Sequence, residues 1–485
     1  MSPGPSPFIS KAAPWLAAAA SALLLALAFP PFGFWFLAWF ALVPLFWTVL
    51  NSPDAKTAAN LAGFFGLIFY GLSLNWLLKI FGPAGFSFWC VFALWTALHA
   101  ALLRYAWGLQ VPAGRGALFW PLLSGLVWCG LEYFRSETWW LECGWLALGY
   151  SQERAPAFFQ FCGILGVYGL SALIVSVNSA FALLLTGRRL PAALAALLIL
   201  LLPLWGKHRI NSFRALDGKP VSVVLVQDES SSYTRLAALG LEAGAKNADL
   251  LVWPEYSFFV RYGQEDLYRE LLRKSLKELP AVSVIGAAIL PDKIKKIRLR
   301  NFAWVLSKEG AELGRYDKLH PIPYIEKTFR RTFKNLAPNP APAPVKTPLG
   351  ELGIQICYDL DFENGTRAMA RQGANLLVVP NLDPSEWGKW QHLQHSAMAP
   401  ARAVEAGLWL VRAASSGVSQ IIDPLGRVRA SLGPDHSGTL SGTVYMLEPG
   451  TFYSSLGWVF APACLALTLL LILAALLRRY LHPGK

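Results

Sequence analysis

The chain has 485 residues, of which 54% are hydrophobic and only 15% charged, with 20 tryptophans among them. That is too apolar for an ordinary soluble protein of this length, so apolar runs near or above ~18 residues are read as membrane-spanning helices. The net charge of +13 comes without a recognisable nucleic-acid-binding motif, which excludes nucleic acid as a partner.

In chain order, the apolar runs fall at about residues 14–30, 33–50, 60–80, 86–108, 117–134, 160–185, 190–206 and 456–477. The expected architecture is a polytopic α-helical membrane bundle of about eight spans carrying one soluble α/β domain. Residues 1–206 form the N-terminal membrane domain with about seven spans, 207–455 a soluble insert, and 456–485 a last span and tail. The first run ends in Pro30-Pro31 and leads straight into another apolar run without a small-residue cleavage site, so it is expected to be retained.

Basic residues in short loops resist translocation and set the orientation. Counted from a cytoplasmic N-terminus, the inner segments carry Lys11, Lys56, Arg104, Arg115, Arg188, Arg189, Arg478, Arg479 and Lys485, and the outer loops only Lys79, Arg135 and Arg154. Both termini are thus expected in the cytoplasm and residues 207–455 on the outer face. Near the outer end of the fifth run, Glu132 and Arg135 are spaced to pair on a helix.

The insert alternates apolar, β-branched runs with stretches of helical length. The runs are Val221–Val226, Leu250–Trp253, Val282–Ile289, Phe302–Leu306, Ile354–Cys357, Leu376–Val379 and Leu408–Ala413. Helices are expected over Tyr233–Asn247, Glu265–Glu278, Glu363–Gln372 and His392–Ala406. Such alternation predicts a layered sheet with helices on its faces, whose reactive groups collect where strands end. Lys293–Arg300 reads as a basic loop and the proline-rich 337–344 stretch as an extended connector.

Six cysteines do not make a disulfide framework here. Cys90, Cys129, Cys162 and Cys464 lie in or beside apolar runs, Cys143 in an outer loop, and Cys357 alone in the insert. Three groups in that insert follow apolar runs: Glu255 after Leu250–Pro254, Lys318 after Leu313–Asp317, and Cys357 after Leu352–Ile356. A carboxylate, an ammonium and a thiol are the parts of an activated-cysteine acyl-transfer site. A free thiol with pKa ~8.5 is mostly protonated at neutral pH, so a base or a nearby cation must supply the thiolate. Glu255 can take the proton and Lys318 can hold the negative oxygen that develops on an attacked ester carbonyl.

The order Glu, Lys, Cys in Trp253-Pro254-Glu255, Tyr316-Asp317-Lys318-Leu319-His320 and Ile356-Cys357-Tyr358 resembles the nitrilase superfamily. With the membrane runs added, the whole chain resembles the apolipoprotein N-acyltransferases, the nitrilase-like membrane family that completes bacterial lipoprotein maturation. That resemblance also covers Leu27–Gly33, Gly71–Trp76, Trp128–Arg135, Leu148–Gln152 and Gly166–Leu170. It implies an α-β-β-α sandwich in a bacterial inner membrane protein, with Glu255 as general base, Lys318 as oxyanion stabiliser, Cys357 as nucleophile and Glu326 as a supporting glutamate. Tyr358 and Asp359 would support the site beside the nucleophile. The implied reaction moves a fatty acyl group from a membrane phospholipid to Cys357 as a thioester, then to the α-amine of the diacylglyceryl-cysteine of an apolipoprotein. The implied partners are the phospholipid donor, the diacylated apolipoprotein and the bilayer, and no cofactor is required.

The chain departs from that family at Pro380–Gly388, where most members carry a Ser-Asn-Asp-Ala-Trp-Phe-like stretch, so substrate selection is expected to differ there. Asp359 replaces a common glutamate, and Tyr324-Ile325 the usual Phe-Gly. Trp139, Trp140, Trp145, Trp253, Trp387 and Trp390 are candidates for a lid or lipid contact, because tryptophan concentrates at membrane interfaces. His392 and His395, with His320, lack the partner pattern of a metal site, and none is expected. Two other classes remain open: a membrane-tethered nitrilase-like hydrolase that gives the acyl group to water, and a non-catalytic carrier.

Overall fold

In the computed structural model, residues 7–108, 116–213, 217–230, 232–242, 247–275, 279, 281–290, 299–326 and 342–481 are described. Arg115, Lys485, residues 293–298 of the basic loop and 337–341 of the proline-rich stretch lie outside them. The chain forms two compact units: one of Met1–Trp139, Leu146–Arg209 and Gly457–Lys485, the other of Trp140–Trp145 and Ile210–Leu456. The short excursion Trp140–Trp145 belongs to the second unit although it sits far upstream of it in sequence, which the division at residue 206 does not anticipate.

The first unit is helical, and each of the eight apolar runs forms helix. Among the described residues, five helical stretches are long and apolar enough to cross a membrane: Lys11–Ala28, Leu77–Gly108, Cys162–Leu184, Arg189–Ser212 and Gly457–Arg478. The run at 33–50 is broken, a 3-10 turn over Trp35–Trp39 followed by a helix over Val43–Asn51 with a proline in its first turn. Main-chain groups freed by such a break need partners where water is absent. Asn178 supplies two of them, its Oδ1 accepting from Leu42 N–H at 2.8 Å and its Nδ2 donating to the Ala38 carbonyl at 2.8 Å. Gln152 donates from Nε2 to the Trp35 carbonyl at 2.9 Å and accepts from Trp39 Nε1 at 2.9 Å.

The second unit is an α/β sandwich of thirteen strands among the described residues: β1 (Lys219–Gln227), β2 (Leu250–Val252), β3 (Phe258–Val260), β4 (Val282–Ile289), β5 (Arg300–Leu306), β6 (Glu312–Asp317), β7 (Val345–Lys346), β8 (Glu351–Ile354), β9 (Leu376–Asn381), β10 (Leu410–Ala414), β11 (Ser419–Ile422), β12 (Val428–Leu432) and β13 (Gly438–Met446). One sheet runs β13-β1-β2-β4-β5-β6, with β3 also on β4, and the other β12-β11-β10-β9-β8-β7. Their central strands face one another, β1 against β10 and β4 against β9. Strands β2, β4, β9 and β10 are buried along their whole length, which explains why they read as continuous apolar runs.

Trp253 is no lid residue. It is fully buried with Val226, Leu251, Ile285, Phe302 and Trp304 in the core of the first sheet, where its indole replaces water with close-packed apolar contacts. The helix expected over His392–Ala406 is two helices, Lys389–Ser396 and Ala399–Ala406. Pro400 lies in the first turn of the second, where its missing N–H has no helical acceptor to lose.

Candidate active site

Three strand ends meet at the site. Glu255 follows β2 after Trp253-Pro254, Lys318 follows β6 directly, and Cys357 opens the 3-10 turn Cys357–Asp361 that follows β8. Cys357 holds φ +50, a left-handed backbone that a side-chain-bearing residue adopts only under constraint and that turns its thiol out of the strand path. Gly286 of β4 makes room for Glu255: a Cβ there would lie 2.5 Å from the Glu255 Cα and 2.3 Å from the Pro254 carbonyl oxygen.

The charged groups are buried and mutually paired. Lys318 Nζ lies 2.9 Å from Glu255 Oε1 and 2.9 Å from Glu326 Oε2, its side chain only 2% exposed. Asn301 donates to Glu255 Oε1 at 2.5 Å and to Glu326 Oε1 at 3.3 Å. Tyr256 donates to Glu326 Oε1 at 2.9 Å, and the Ile322 N–H donates to Glu326 Oε2 at 2.8 Å. The main chain of Leu382, just past β9, completes the set: its N–H donates to Glu255 Oε2 at 3.0 Å and its carbonyl accepts from Cys357 Sγ at 3.5 Å.

Asp359 ties the cysteine turn to the lysine loop. Its carboxylate accepts from the N–H groups of Leu319 at 3.0 Å, His320 at 2.6 Å and Ile356 at 3.1 Å, and from the Tyr316 hydroxyl at 3.0 Å. Such bonds to a carboxylate are charge-assisted and short. Tyr358 donates its hydroxyl to the Glu142 carbonyl, a contact made by the Trp140–Trp145 excursion.

Burial alone would lower the Lys318 pKa, but Glu255 and Glu326 overcome that and hold it well above the usual lysine value. Burial raises Glu255 against the pull of Lys318. Burial and then the Glu255 carboxylate push Cys357 well above the ordinary thiol value, with Lys318 opposing. The resting cysteine is therefore a thiol, and the ammonium alone does not ionise it; a proton acceptor is needed, and Glu255 is the carboxylate beside it.

Trp387 and Trp390 are half-buried after β9, Trp140 is exposed, and Trp145 is buried. His392 Nε2 lies 2.9 Å from the Pro384 carbonyl oxygen, and His395 Nδ1 lies 2.7 Å from Asp383 Oδ1. No group of three or more His, Cys, Asp or Glu side chains among the described residues is placed to hold a metal ion. Sequence reasoning passed over Asn301, Tyr256 and the Leu382 main chain. Asn301 and Tyr256 each neighbour an apolar run, the only signal available, and Leu382 acts through atoms every residue shares.

Residues 21–180 match the family described as Apolipoprotein N-acyltransferase N-terminal domain, and residues 222–447 match Carbon-nitrogen hydrolase. An apolipoprotein N-acyltransferase of Geobacter metallireducens is 31% identical over 96% of this chain and 96% of its own length. One of Gloeobacter violaceus is 28% identical over 95% of this chain and 93% of its own. Among solved structures, a carbon-nitrogen hydrolase from Helicobacter pylori aligns with 47% of this chain and 90% of its own at 20% identity, with a TM-score of 0.39.

Proposed function

We propose, from the premise that this chain belongs to the apolipoprotein N-acyltransferase family and so is a membrane acyltransferase acting in lipoprotein N-acylation, that Glu255, Lys318 and Cys357 carry the reaction in two acyl transfers. The observation that carries this assignment is the joining of Glu255 to Lys318 at 2.9 Å and, through Leu382, to Cys357.

In the first transfer, Glu255 takes the thiol proton as Sγ attacks the ester carbonyl of a membrane phospholipid. Lys318, kept an ammonium by its two carboxylates, faces the oxygen that becomes negative, the arrangement in which a fixed cation contributes most. The ester C–O bond breaks, the proton held by Glu255 leaves with the lysophospholipid alcohol, and the acyl group stays on Cys357 as a thioester. In the second transfer, the α-amine of the diacylglyceryl-cysteine of an apolipoprotein attacks the thioester and Glu255 accepts its proton. The C–S bond breaks, and the sulfur recovers a proton. Splitting the exchange in this way lets one site serve two bulky lipids in turn.

The membrane part is assigned eight spans with both termini in the cytoplasm and the α/β unit on the outer face of a bacterial inner membrane, supported by the basic residues of the loops. Exposed Trp140 and half-buried Trp387 and Trp390 are assigned to the rim over which lipid enters.

The test is mass spectrometry, intact and after digestion, of wild type and Cys357→Ser incubated with phospholipid vesicles. An acyl mass on the Cys357 peptide, discharged onto an added diacylglyceryl peptide, is expected. A mass that decays equally fast without the peptide would assign a hydrolase, and no adduct would remove Cys357 as the nucleophile.

A further inference from the structure

One residue beyond the centre described above, the structure buries four charged or chargeable side chains together. Asp361, Asp383 and Arg412 have no exposed surface and His395 is 2% exposed. His395 Nδ1 lies 2.7 Å from Asp383 Oδ1, and its Nε2 lies 3.3 Å from Asp361 Oδ1. Arg412 donates to Asp383 Oδ2 at 2.6 Å and to the Val418 carbonyl at 2.5 Å, and its Nη2 comes within 3.1 Å of His395 Nδ1. Gln391 adds a bond to Asp383 Oδ1 at 3.1 Å, and the Trp145 ring covers the imidazole at 5.3 Å between centroids.

Taking four such groups out of water is costly unless they balance one another, and an imidazolium makes this set neutral, two positive against two negative. Burial disfavours that cation, but Asp383 and Asp361 reverse the effect and raise His395 to about 9. The network converges on Asp383, whose main chain is fixed as well: its N–H meets Ser415 Oγ at 3.2 Å, and its carbonyl accepts from Ser416 Oγ at 2.6 Å. Strand β9 ends at Asn381, so Leu382 lies between the last rung of a sheet and an anchored aspartate.

We propose that His395 is a positioning residue for the acylation step: bracketed by Asp361 and Asp383, it fixes Leu382, whose N–H binds the Glu255 carboxylate and whose carbonyl holds the Cys357 thiol. The proposal rests on Cys357 being the nucleophile. The physical link is short. If Asp383 shifts, the Leu382 N–H leaves Glu255 Oε2, the carboxylate loses a donor that favours its charged form, and its affinity for protons rises. The thiol loses its acceptor in the same movement.

The experiment is single-turnover acylation of Cys357 in the full-length protein, reconstituted in vesicles of dioleoyl phosphatidylethanolamine and phosphatidylglycerol, followed by quenching and intact mass. Rates are taken per folded molecule, counted as the monodisperse fraction in size-exclusion chromatography, so a loss of folded protein does not mimic a loss of rate. For His395→Gln, the maximal acylation rate is expected to fall about 30-fold, of the size that a misplaced base produces. The half-saturating lipid concentration should stay within about twofold of wild type, and the acid limb of the pH–rate profile should move to higher pH. Arg412→Lys, which keeps the charge but loses the planar fork, should fall in the same direction by a smaller factor. A His395→Gln rate within about threefold of wild type, an acid limb that does not move, or a loss lying wholly in the lipid concentration needed would each overturn the proposal. Failure of the wild type itself to acylate Cys357 would instead overturn the nucleophile assignment, and is visible without any variant.

Discussion

The helix break in the first unit and the site in the α/β unit bury polar groups in different ways. In the helical unit, the break near residue 40 is repaired by uncharged amides: Asn178 offers a donor and an acceptor to the main chain, and Gln152 a donor to the main chain and an acceptor to the Trp39 indole. At the site of the α/β unit, the buried polar groups include ions of opposite charge set against one another, Lys318 between Glu255 and Glu326, and His395 with Arg412 between Asp361 and Asp383. An amide repairs a backbone defect without bringing in a charge whose desolvation must be offset; an ion set costs more and creates the fields that chemistry needs. Removing one of those amides should therefore disturb folding alone, whereas removing an ion of the site should disturb both folding and reaction.

The sharpest way to break that contrast is Lys318→Met. It leaves Glu255 and Glu326 facing each other without a cation, so stability should fall by about 3–5 kcal/mol and thioester formation at least ~10³-fold, read by thermal unfolding and by the acyl adduct. Glu255→Gln should lower acyl transfer by ~10²–10⁴ as the base is lost. Yet the Cys357 thiol, which Glu255 raises, should titrate at lower pH when followed by iodoacetamide alkylation. A Cys357 titration that stays where it is or moves to higher pH in Glu255→Gln would contradict the electrostatic account. Gly286→Ala should displace the Glu255 backbone that its Cβ would strike, at a cost of about 10²-fold in acylation and about 1–3 kcal/mol in stability. Asn178→Leu, in the other unit, should destabilise by about 1–3 kcal/mol through main-chain groups left unpaired and leave the alkylation pH profile of Cys357 where it was.

The smallest effect separates the two modes by pH. His395 titrates at about 9 in the folded protein against an ordinary value of 6.5. A raised folded value stabilises fully below 6.5 and loses that contribution as the pH climbs through about 9. The unfolding midpoint of the wild type should therefore drop across that window by more than that of His395→Gln, and an equal slope would remove the histidine from the charge balance.

What the sequence made legible follows the same division. Strands β2, β4, β9 and β10 stood out because burial on both faces demands apolar residues throughout. Strands β12 and β13 did not, since β13 is largely exposed or half-exposed and owes its form to a nine-residue antiparallel register on β1, from Lys219↔Met446 to Gln227↔Gly438. Glu255, Lys318 and Cys357 were legible as residues that end strands. Trp253 was misjudged because an indole has the same composition signature at a membrane rim and in a core. Asn301 and the Leu382 main chain were hidden, one because an asparagine at the start of a strand is commonplace, the other because a backbone amide has no letter of its own. The break at residue 40 was masked by a side chain more than a hundred positions away.

The loop Trp140–Trp145 sets a limit on cutting the molecule apart. A fragment beginning after the seventh apolar run would keep every residue of the Glu-Lys-Cys centre yet lack the carbonyl that receives the Tyr358 hydroxyl and the ring that covers His395. A soluble version for crystallography or inhibitor screening would therefore need those six residues grafted back, as a synthetic peptide or a fused linker, before its kinetics stood for those of the whole enzyme.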